Sequence, residues 1–211
     1  MRKTKLHQNR QNFKHTKSTL RGNALREYKQ TITLNPIQRE VLVGTLLGDA
    51  SITLDRGTRR FCVKFGQTIE SAEYIWHLYD ILKNFVGTSP RVYNTRLGPA
   101  RDYQSLRFQT YSHPEFKFYY DLFYPAHAAE GPGLRRKKRV PESIQQFLTS
   151  RALAYWFMDD GACMSRKSRS RTYIFHTQSF VLSDQGAKGD STGITRQFWH
   201  FSYYSKRPFS L

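Results

Sequence analysis

Two stretches of this sequence place carboxylates at the end of an apolar run, and acids of this kind can hold a divalent cation for hydrolysis. "LVGTLLGDA" (residues 42–50) carries Asp49, and "LAYWFMDDG" (residues 153–161) carries Asp159 and Asp160. An ionised carboxylate that leaves bulk water needs a hydrogen bond, a counter-charge or a metal. Carboxylate oxygens are hard ligands, which favour Mg²⁺ over zinc.

The two stretches belong to a repeated unit. An offset of 111 residues matches Asp49 with Asp160, Gln67 with Gln178, Val63 with Ile174 and Arg60 with Arg171. A single Asp at a helix end is usually a turn residue, but its repetition at one offset favours a shared role. A duplicated helix and strand predicts a pseudo-two-fold pair. The small residues Gly44 and Gly48 would let the paired helices approach closely, so that the acids meet.

Local patterns predict the elements that position these acids. Asn35, Pro36 and Gln38 form a helix-start signal, so a helix is expected from Pro36 to about residue 48. Residues 60–67 alternate apolar with polar side chains, as a strand does, and residues 68–86 have helical spacing. Strands follow at 91–96 and 103–112, and short helices at 114–125 and 141–150. The aromatic side chains expected in the core are Trp76, Tyr79, Phe116, Tyr120, Trp156 and Phe157.

The charge of the chain indicates a polyanionic partner. Lys and Arg outnumber Asp and Glu by 34 to 16, which gives a formal net charge of +18. Basic clusters interleaved with aromatic residues favour nucleic acid over a membrane surface. The apolar runs are too short to cross a bilayer, and two cysteines without C-x-x-C spacing indicate neither a disulfide framework nor a zinc site. We therefore expect a soluble, intracellular protein with no membrane partner.

The first thirty residues are the most basic part of the chain. They contain nine Lys or Arg against one acid, Glu27, and they show no steady apolar period. A transit peptide would also be basic, but this segment lacks the Ser-rich amphipathic character of one. We interpret residues 1–30 as a flexible basic arm that lies along phosphates.

The two motifs, together with "KFGQT", "KRVP" and "TQSF", resemble the LAGLIDADG homing endonucleases, in particular the two-motif branch encoded by organellar group I introns. The resemblance covers residues 34–184. It implies an α+β fold built from a duplicated αββαββα unit. In this fold the paired motif helices lie at a pseudo-two-fold axis, and antiparallel sheets form a saddle over DNA.

The resemblance also implies a catalytic centre that hydrolyses phosphodiester bonds. Its implied residues are Asp49 and Asp160 as Mg²⁺ ligands, the backbone carbonyls of Gly48 and Asp159 as further ligands, Gln67 and Gln178 as water-orienting amides, and Lys138 as a charge stabiliser. Each acid would serve one DNA strand. The bland alternatives are that the Gln pair fills strand ends and that Lys138 is one charge of a solvated loop.

Sequence recognition is expected on the polar faces of the strands, because a β-ribbon fits the DNA major groove. The candidate DNA-binding residues are Arg60, Lys64, Arg107, Gln109 and Tyr111 in the first copy, and Arg169 and Arg171 in the second. Other basic clusters, including the arm, are expected to contact phosphates, which position the protein without specifying bases.

The second copy is short. Counterparts of residues 101–140 would lie beyond Leu211, and residues 179–197 carry no helical period. We divide the chain into the arm (1–30), the first repeat (31–148), the start of the second repeat (149–185) and a divergent tail (186–211). Two motifs predict a monomer, although a dimer could supply the missing half.

Two classes of function remain open. One is a site-specific endonuclease that cuts double-stranded DNA and initiates intron homing. The other is a maturase that binds its own group I intron RNA, or an inactive truncated remnant. The paired acids favour the enzyme, since carboxylates repel a polyanion unless a metal intervenes. A generic basic nucleic-acid binder is a weaker alternative. The resemblance alone implies an organelle, either chloroplast or mitochondrion.

Overall fold

The structure is a computed structural model that describes residues 19–55, 60–96, 102–126, 136–165 and 171–175. Its fold is α+β. The helices are α1 (Gly22–Thr31), α2 (Pro36–Leu47), α3 (Ala72–Leu82), α4 (Phe116–Phe123) and α5 (Ser150–Asp160). The strands are β1 (Ser51–Asp55), β2 (Arg60–Thr68), β3 (Arg91–Arg96), β4 (Asp102–Gln109), β5 (Gly161–Ser165) and β6 (Arg171–Phe175). Within these ranges, no helix has the length and apolar character needed to cross a membrane.

The first motif helix, α2, begins and ends as its sequence predicts. Asn35 Oδ1 accepts a hydrogen bond from the Gln38 backbone N–H at 2.9 Å, and Gln38 Oε1 accepts one from the Asn35 N–H at 3.1 Å. Pro36 occupies the first helical position, and Gly48 follows the last turn as the C-cap. The helix is buried from Val41 onward, so it forms the centre of the molecule.

The main sheet is antiparallel with strand order β1-β2-β4-β3. Inward-facing side chains are buried, as the alternation of the sequence predicts: Val63, Phe65, Leu106 and Phe108. The opposite face carries exposed Arg60, Lys64, Arg107 and Gln109. Lys64 and Gln109 are direct cross-strand partners, so the polar side chains share one surface.

Helices α3 and α4 cover the inner face of this sheet and complete the core. The largest fully buried side chains of this layer come from α3, the turn that follows it, and α4: Ile75, Leu78, Leu82, Phe85, Phe116 and Phe123. The predicted aromatic core is confirmed for Phe116 and Trp156, which are buried, and Tyr79 packs against the same cluster.

The interpretation of residues 1–30 as a flexible arm is wrong for its last part, because α1 spans Gly22–Thr31. The Tyr28 hydroxyl donates to the Asn84 carbonyl at 2.9 Å, and the Lys29 carbonyl lies 2.7 Å from His113 Nε2. These contacts come from residues distant in the sequence, so no local pattern indicates them. Residues 1–18 lie outside the described residues.

Residues 141–150 were expected to form a helix, and the structure corrects this. Only Ile144–Gln146 form a single 3₁₀ turn. Thr149 caps α5 by accepting a hydrogen bond from the Ala152 N–H at 3.2 Å, which makes Thr149 the start of the next helix.

The second copy follows the first as helix α5 and the hairpin β5–β6, but its register differs by one residue. Ser51 pairs with Lys64 in the first hairpin, whereas Ala162 pairs with Ile174 in the second. Ser51 and Ala162 are 111 residues apart, but their partners Lys64 and Ile174 are only 110 apart. Ile174 therefore corresponds to Lys64, and the predicted match of Ile174 with Val63 is wrong. Phe175 takes the place of Phe65, and its ring packs 4.7 Å from that of Trp156.

Candidate active site

The two motif helices, α2 and α5, approach so closely that glycine is required between them. A Cβ atom added to Gly44 would lie 2.2 Å from the Ala152 carbonyl oxygen and 2.8 Å from Tyr155 Cβ. A Cβ atom on Gly48 would lie 2.3 Å from the Asp159 carboxylate. The expected close approach at both glycines is confirmed, and it brings the ends of the two helices together.

Three acids lie at these helix ends, and an amide connects two of them. Gln67 Nε2, from β2, donates to Asp49 Oδ2 at 2.6 Å and to Asp159 Oδ1 at 3.2 Å. The Asp49 backbone N–H donates to Asp159 Oδ2 at 3.2 Å. Asp160 is the last residue of α5 and is half-buried. The Asp159 side chain therefore belongs to the Asp49 centre, although only its backbone carbonyl was expected to contribute.

Burial changes the protonation of this centre. Burial raises the pKa of Asp159 to about 7, and the negative charges of Asp49 and Asp160 act in the same direction. The Asp49 N–H and the Tyr74 hydroxyl oppose this shift of the Asp159 pKa. Burial, followed by the Asp159 charge, also raises the pKa of Tyr74.

The Tyr74 hydroxyl is buried, and among the described residues no hydrogen bond of standard geometry satisfies it. A buried hydroxyl without a partner costs about 1–3 kcal/mol. Tyr74, Gln67 and Asp159 line a cavity of about 10 Å³, which is close to the volume that one water molecule needs.

Lys138 places a positive charge beside the same acids. Its ammonium donates to the Gly48 carbonyl and, at 3.1 Å, to the Ala50 carbonyl. Burial lowers the pKa of Lys138, while the carboxylates of Asp160 and Asp49 act to raise it. The Lys138 ammonium is thus surrounded by main-chain carbonyl oxygens and lies near the carboxylates of the centre.

These groups fit a hard divalent cation. In the described ranges, no group of three or more His, Cys, Asp or Glu side chains could hold a metal. The oxygen donors predicted for a metal, which are the Asp49 and Asp160 carboxylates and main-chain carbonyls such as that of Gly48, belong to the two adjacent helix ends. An all-oxygen set of this kind suits Mg²⁺, which keeps several waters and uses few protein ligands.

The predicted DNA-binding residues of the first copy share the outer face of the sheet. Arg107 is held there: its Nε donates to Ser105 Oγ at 2.8 Å, and its guanidinium lies 5.5 Å from the centre of the Tyr93 ring. A Cβ atom on Gly66 would lie 2.9 Å from Arg107 Cγ, so this glycine makes room for the side chain.

Tyr111 lies past the end of β4, where it is less accessible than expected. The Lys29 ammonium lies 5.1 Å from the centre of the Tyr111 ring, and a Cβ atom on Gly87 would lie 2.5 Å from a ring carbon. The ring is thus in contact with the protein, and the residue is half-buried.

The predicted residues of the second copy fall largely outside the structure. Arg169 and Gln178 lie outside the described residues. Arg171 begins β6 and pairs with Ser165, and its side chain is not among those described.

The basic residues on the outer face of the sheet do not belong to the ion pairs found elsewhere on the surface. Ion pairs among the described side chains include Arg39–Glu115, Lys117–Asp121, Arg136–Asp121 and Arg151–Glu40. None of these pairs includes the basic residues of the outer sheet face. The basic groups of that face are therefore available to a polyanion.

Sequence reasoning missed the roles of two side chains at this centre. Tyr74 lies in a helix that reads as core, so nothing local marks it. Asp159 does carry a signal, because it stands where the first motif has Gly48 and therefore adds an acid opposite a glycine.

Three comparisons place this geometry among known proteins. The sequence profile of the "LAGLIDADG DNA endonuclease family" matches residues 39–185. "Probable intron-encoded endonuclease 1" of Wickerhamomyces canadensis is 30% identical over 159 residues, which cover 74% of this chain and 64% of the relative. "Cytochrome b mRNA maturase bI2" of Saccharomyces cerevisiae is 28% identical over 138 residues, or 64% of this chain and 32% of the relative. This chain thus spans less than two thirds of the length of either relative.

A solved structure shows the same fold. "The homing endonuclease I-WcaI bound to its DNA recognition sequence" superimposes with a TM-score of 0.65 at 28% sequence identity, over 75% of this chain and 67% of that chain. The part of this chain that matches the family profile contains both nine-residue motifs and the lysine beside them.

Proposed function

Because this chain belongs to the LAGLIDADG DNA endonuclease family, we propose that it is a site-specific endonuclease that hydrolyses both strands of double-stranded DNA with a divalent metal, initiating group I intron homing. The observation that carries this proposal is the meeting of Asp49, Asp159 and Asp160 at the ends of two helices in direct contact, with the Lys138 ammonium beside them. A protein that only binds nucleic acid gains nothing from three acids at its centre.

The residues of the centre have distinct tasks. Asp49 and Asp160, with the Gly48 and Asp159 carbonyls, would hold Mg²⁺, which when bound offsets charge on the attacking and leaving oxygens and generates a nucleophile. Gln67 fixes both carboxylates through its amide nitrogen, which leaves its amide oxygen to accept a hydrogen bond from the attacking water. Gln178 is proposed for the same task at the second centre from the sequence repeat alone, since it lies outside the described residues and follows a strand whose register differs by one residue.

Lys138 supplies the remaining positive charge. Its ammonium is anchored on two main-chain carbonyls beside the acids, so it is oriented before a substrate arrives. A donor of this kind stabilises negative charge that develops on a phosphate, and it needs no reorganisation during the reaction.

DNA binds to the outer face of the sheet in this proposal. Arg60, Lys64, Arg107 and Gln109 project from two adjacent strands, the arrangement that a β-ribbon uses to read base edges in the major groove. The solved relative is described as bound to its DNA recognition sequence. Arg169 and Arg171 would extend this contact in the second copy.

The chain pairs its own two motif helices, which supports a monomer as the active species. Relatives described as intron-encoded or as a cytochrome b maturase support an origin in an organellar intron, in a mitochondrion or a chloroplast. Molar mass from light scattering tests the oligomeric state. A dimer would contradict the monomer proposal and would indicate that a second chain completes the site.

A maturase is the second candidate function, since one relative carries that name. In this alternative the chain binds its group I intron RNA through the same basic surface and needs none of the acids. Substitution of the acids would then leave splicing intact.

The test is cleavage of intron-less, joined-exon DNA with and without Mg²⁺, by the protein and by Asp49→Asn and Asp160→Asn. A metal-dependent staggered cut that both substitutions weaken supports the endonuclease. The matched control is Asp121→Asn, which removes an exposed acid of α4 that pairs with Lys117 away from the centre. No cut, together with tight binding of intron RNA, would favour the maturase, and neither activity would indicate an inactive remnant.

A further inference from the structure

The two motifs differ in charge at the position just before their matched acids. Gly48 and Asp159 occupy matched places just before the acids of the two motifs, and the two residues face each other. The first motif therefore offers no side chain here, whereas the second offers a carboxylate. This carboxylate turns toward Asp49 and accepts the Asp49 backbone N–H.

Several groups direct the Asp159 carboxylate to the Asp49 centre. Gln67 joins it to Asp49 through one amide nitrogen. Tyr74, from α3, buries its hydroxyl at the same cavity, which Asp49, Gln67 and Asp159 also line. The Tyr74 ring stacks on Tyr155 with centroids 6.4 Å apart, which fixes the direction of the hydroxyl.

We propose that Tyr74 and Asp159 form a positioning pair that serves the Asp49 centre alone. In this pair the buried Tyr74 hydroxyl, which has no partner of standard geometry among the described residues, would donate to the Asp159 carboxylate across the cavity that both line. The carboxylate in turn accepts from the Asp49 backbone N–H and the Gln67 amide. The side chains of the pair act through Asp49 and Gln67 and contact neither the metal nor the scissile phosphate. Because Gly48 has no side chain to do the same for Asp160, the two centres are chemically different.

The inference rests on the proposed endonuclease function for its consequence: the two DNA strands are cut with different dependence on this pair. Tyr74→Phe removes only the hydroxyl and keeps the stacked ring. We expect it to slow cleavage of one strand by about 10-fold, the usual effect of losing a group that orients a ligand. That strand is the one that Asp49→Asn affects more. The other strand should be cut at the original rate.

Strand-resolved nicking of a duplex labelled differently on each strand measures both rates. The matched control is Tyr155→Phe, which keeps the stacked ring and removes a hydroxyl that contacts His77 Nε2 at 2.7 Å. This control should leave the ratio of the two rates unchanged. If Tyr74→Phe slows both strands equally, or neither, the pair does not serve one centre and the inference is overturned.

A second experiment tests the interaction between Tyr74 and Asp159 by measuring stability instead of cleavage. The urea midpoints of Tyr74→Phe, Asp159→Asn and the double variant form a double-variant cycle. We expect the double variant to shift the midpoint by less than the sum of the two single shifts. Each single substitution already removes the interaction between the two side chains, so the second substitution has no interaction left to remove. Additive shifts would overturn the inference. If the protein cuts neither strand, the proposed function fails, and the cycle still decides whether the pair exists.

Discussion

Substitution of Gly44 by Ala should separate the two motif helices. The added Cβ would lie 2.2 Å from the Ala152 carbonyl oxygen and 2.8 Å from Tyr155 Cβ. Both atoms are close to the α5 main chain, so no rotation of a flexible side chain relieves the contact. The helices must move apart by about 1 Å to restore normal van der Waals distances.

Two opposing terms set the size of the effect. Overpacking of a buried contact costs about 1–3 kcal/mol, and a contact with backbone atoms belongs at the upper end of that range. Ala is the better helix former by about 1 kcal/mol, which offsets part of the cost. We expect a net loss of about 2 kcal/mol in the free energy of unfolding, which corresponds to a fall of about 4–8 °C in Tm for a chain of this size.

Urea and thermal unfolding of Gly44→Ala measure this loss. The matched control is Ile37→Ala on the same helix, where the side chain is 48% exposed and the change should stay within about 0.5 kcal/mol. If Gly44→Ala is as stable as the original protein or more so, helix propensity dominates, and the reasoning from close helix contact is refuted.

Three further outcomes are expected. Lys138→Met should lower the cleavage rate by about 10²–10³-fold in single-turnover assays, because an oriented donor is lost, and an unchanged rate would contradict a role in charge stabilisation. Arg107→Lys should weaken binding to the specific site by about 1–3 kcal/mol in competition binding at fixed salt, since Lys cannot bind a base with two parallel hydrogen bonds; an equal loss for random DNA would assign Arg107 to phosphate. Tyr28→Phe should lower the free energy of unfolding by about 1 kcal/mol in urea titrations, because α1 loses its bond to the Asn84 carbonyl; no change would mean that α1 contributes little to stability.

Much of the fold could be predicted because its signals are local. The capping box of α2 lies within four residues, and the alternation along β2 and β4 shows which side chains are buried. The incorrect predictions concern features that depend on contacts between distant parts of the chain. Helix α1 depends on contacts with Asn84 and His113, more than fifty residues away, which no pattern within residues 22–31 records.

The candidate site was predictable to a similar extent. Duplication of a motif at one offset marked Asp49 and Asp160, and the structure brings their helix ends together. The role of Asp159 was not visible, because a residue at a helix end can direct its side chain to either neighbour. The slip of one residue between the two hairpins was also hidden, because Tyr173, Ile174 and Phe175 are consecutive and β6 lacks the strict alternation that would exclude the adjacent register.

The sequence by itself determined the family, the paired motif helices, the basic strand face and the acids expected to hold metal. These properties follow from residue type, spacing and net charge, which do not depend on the path of the chain. Only the tertiary structure decided that Asp159 faces Gly48, that Gln67 bonds two acids, and that Tyr74 buries its hydroxyl beside them. Such contacts join side chains from α2, β2, α3 and α5, and their directions are set by packing between elements rather than by any one segment.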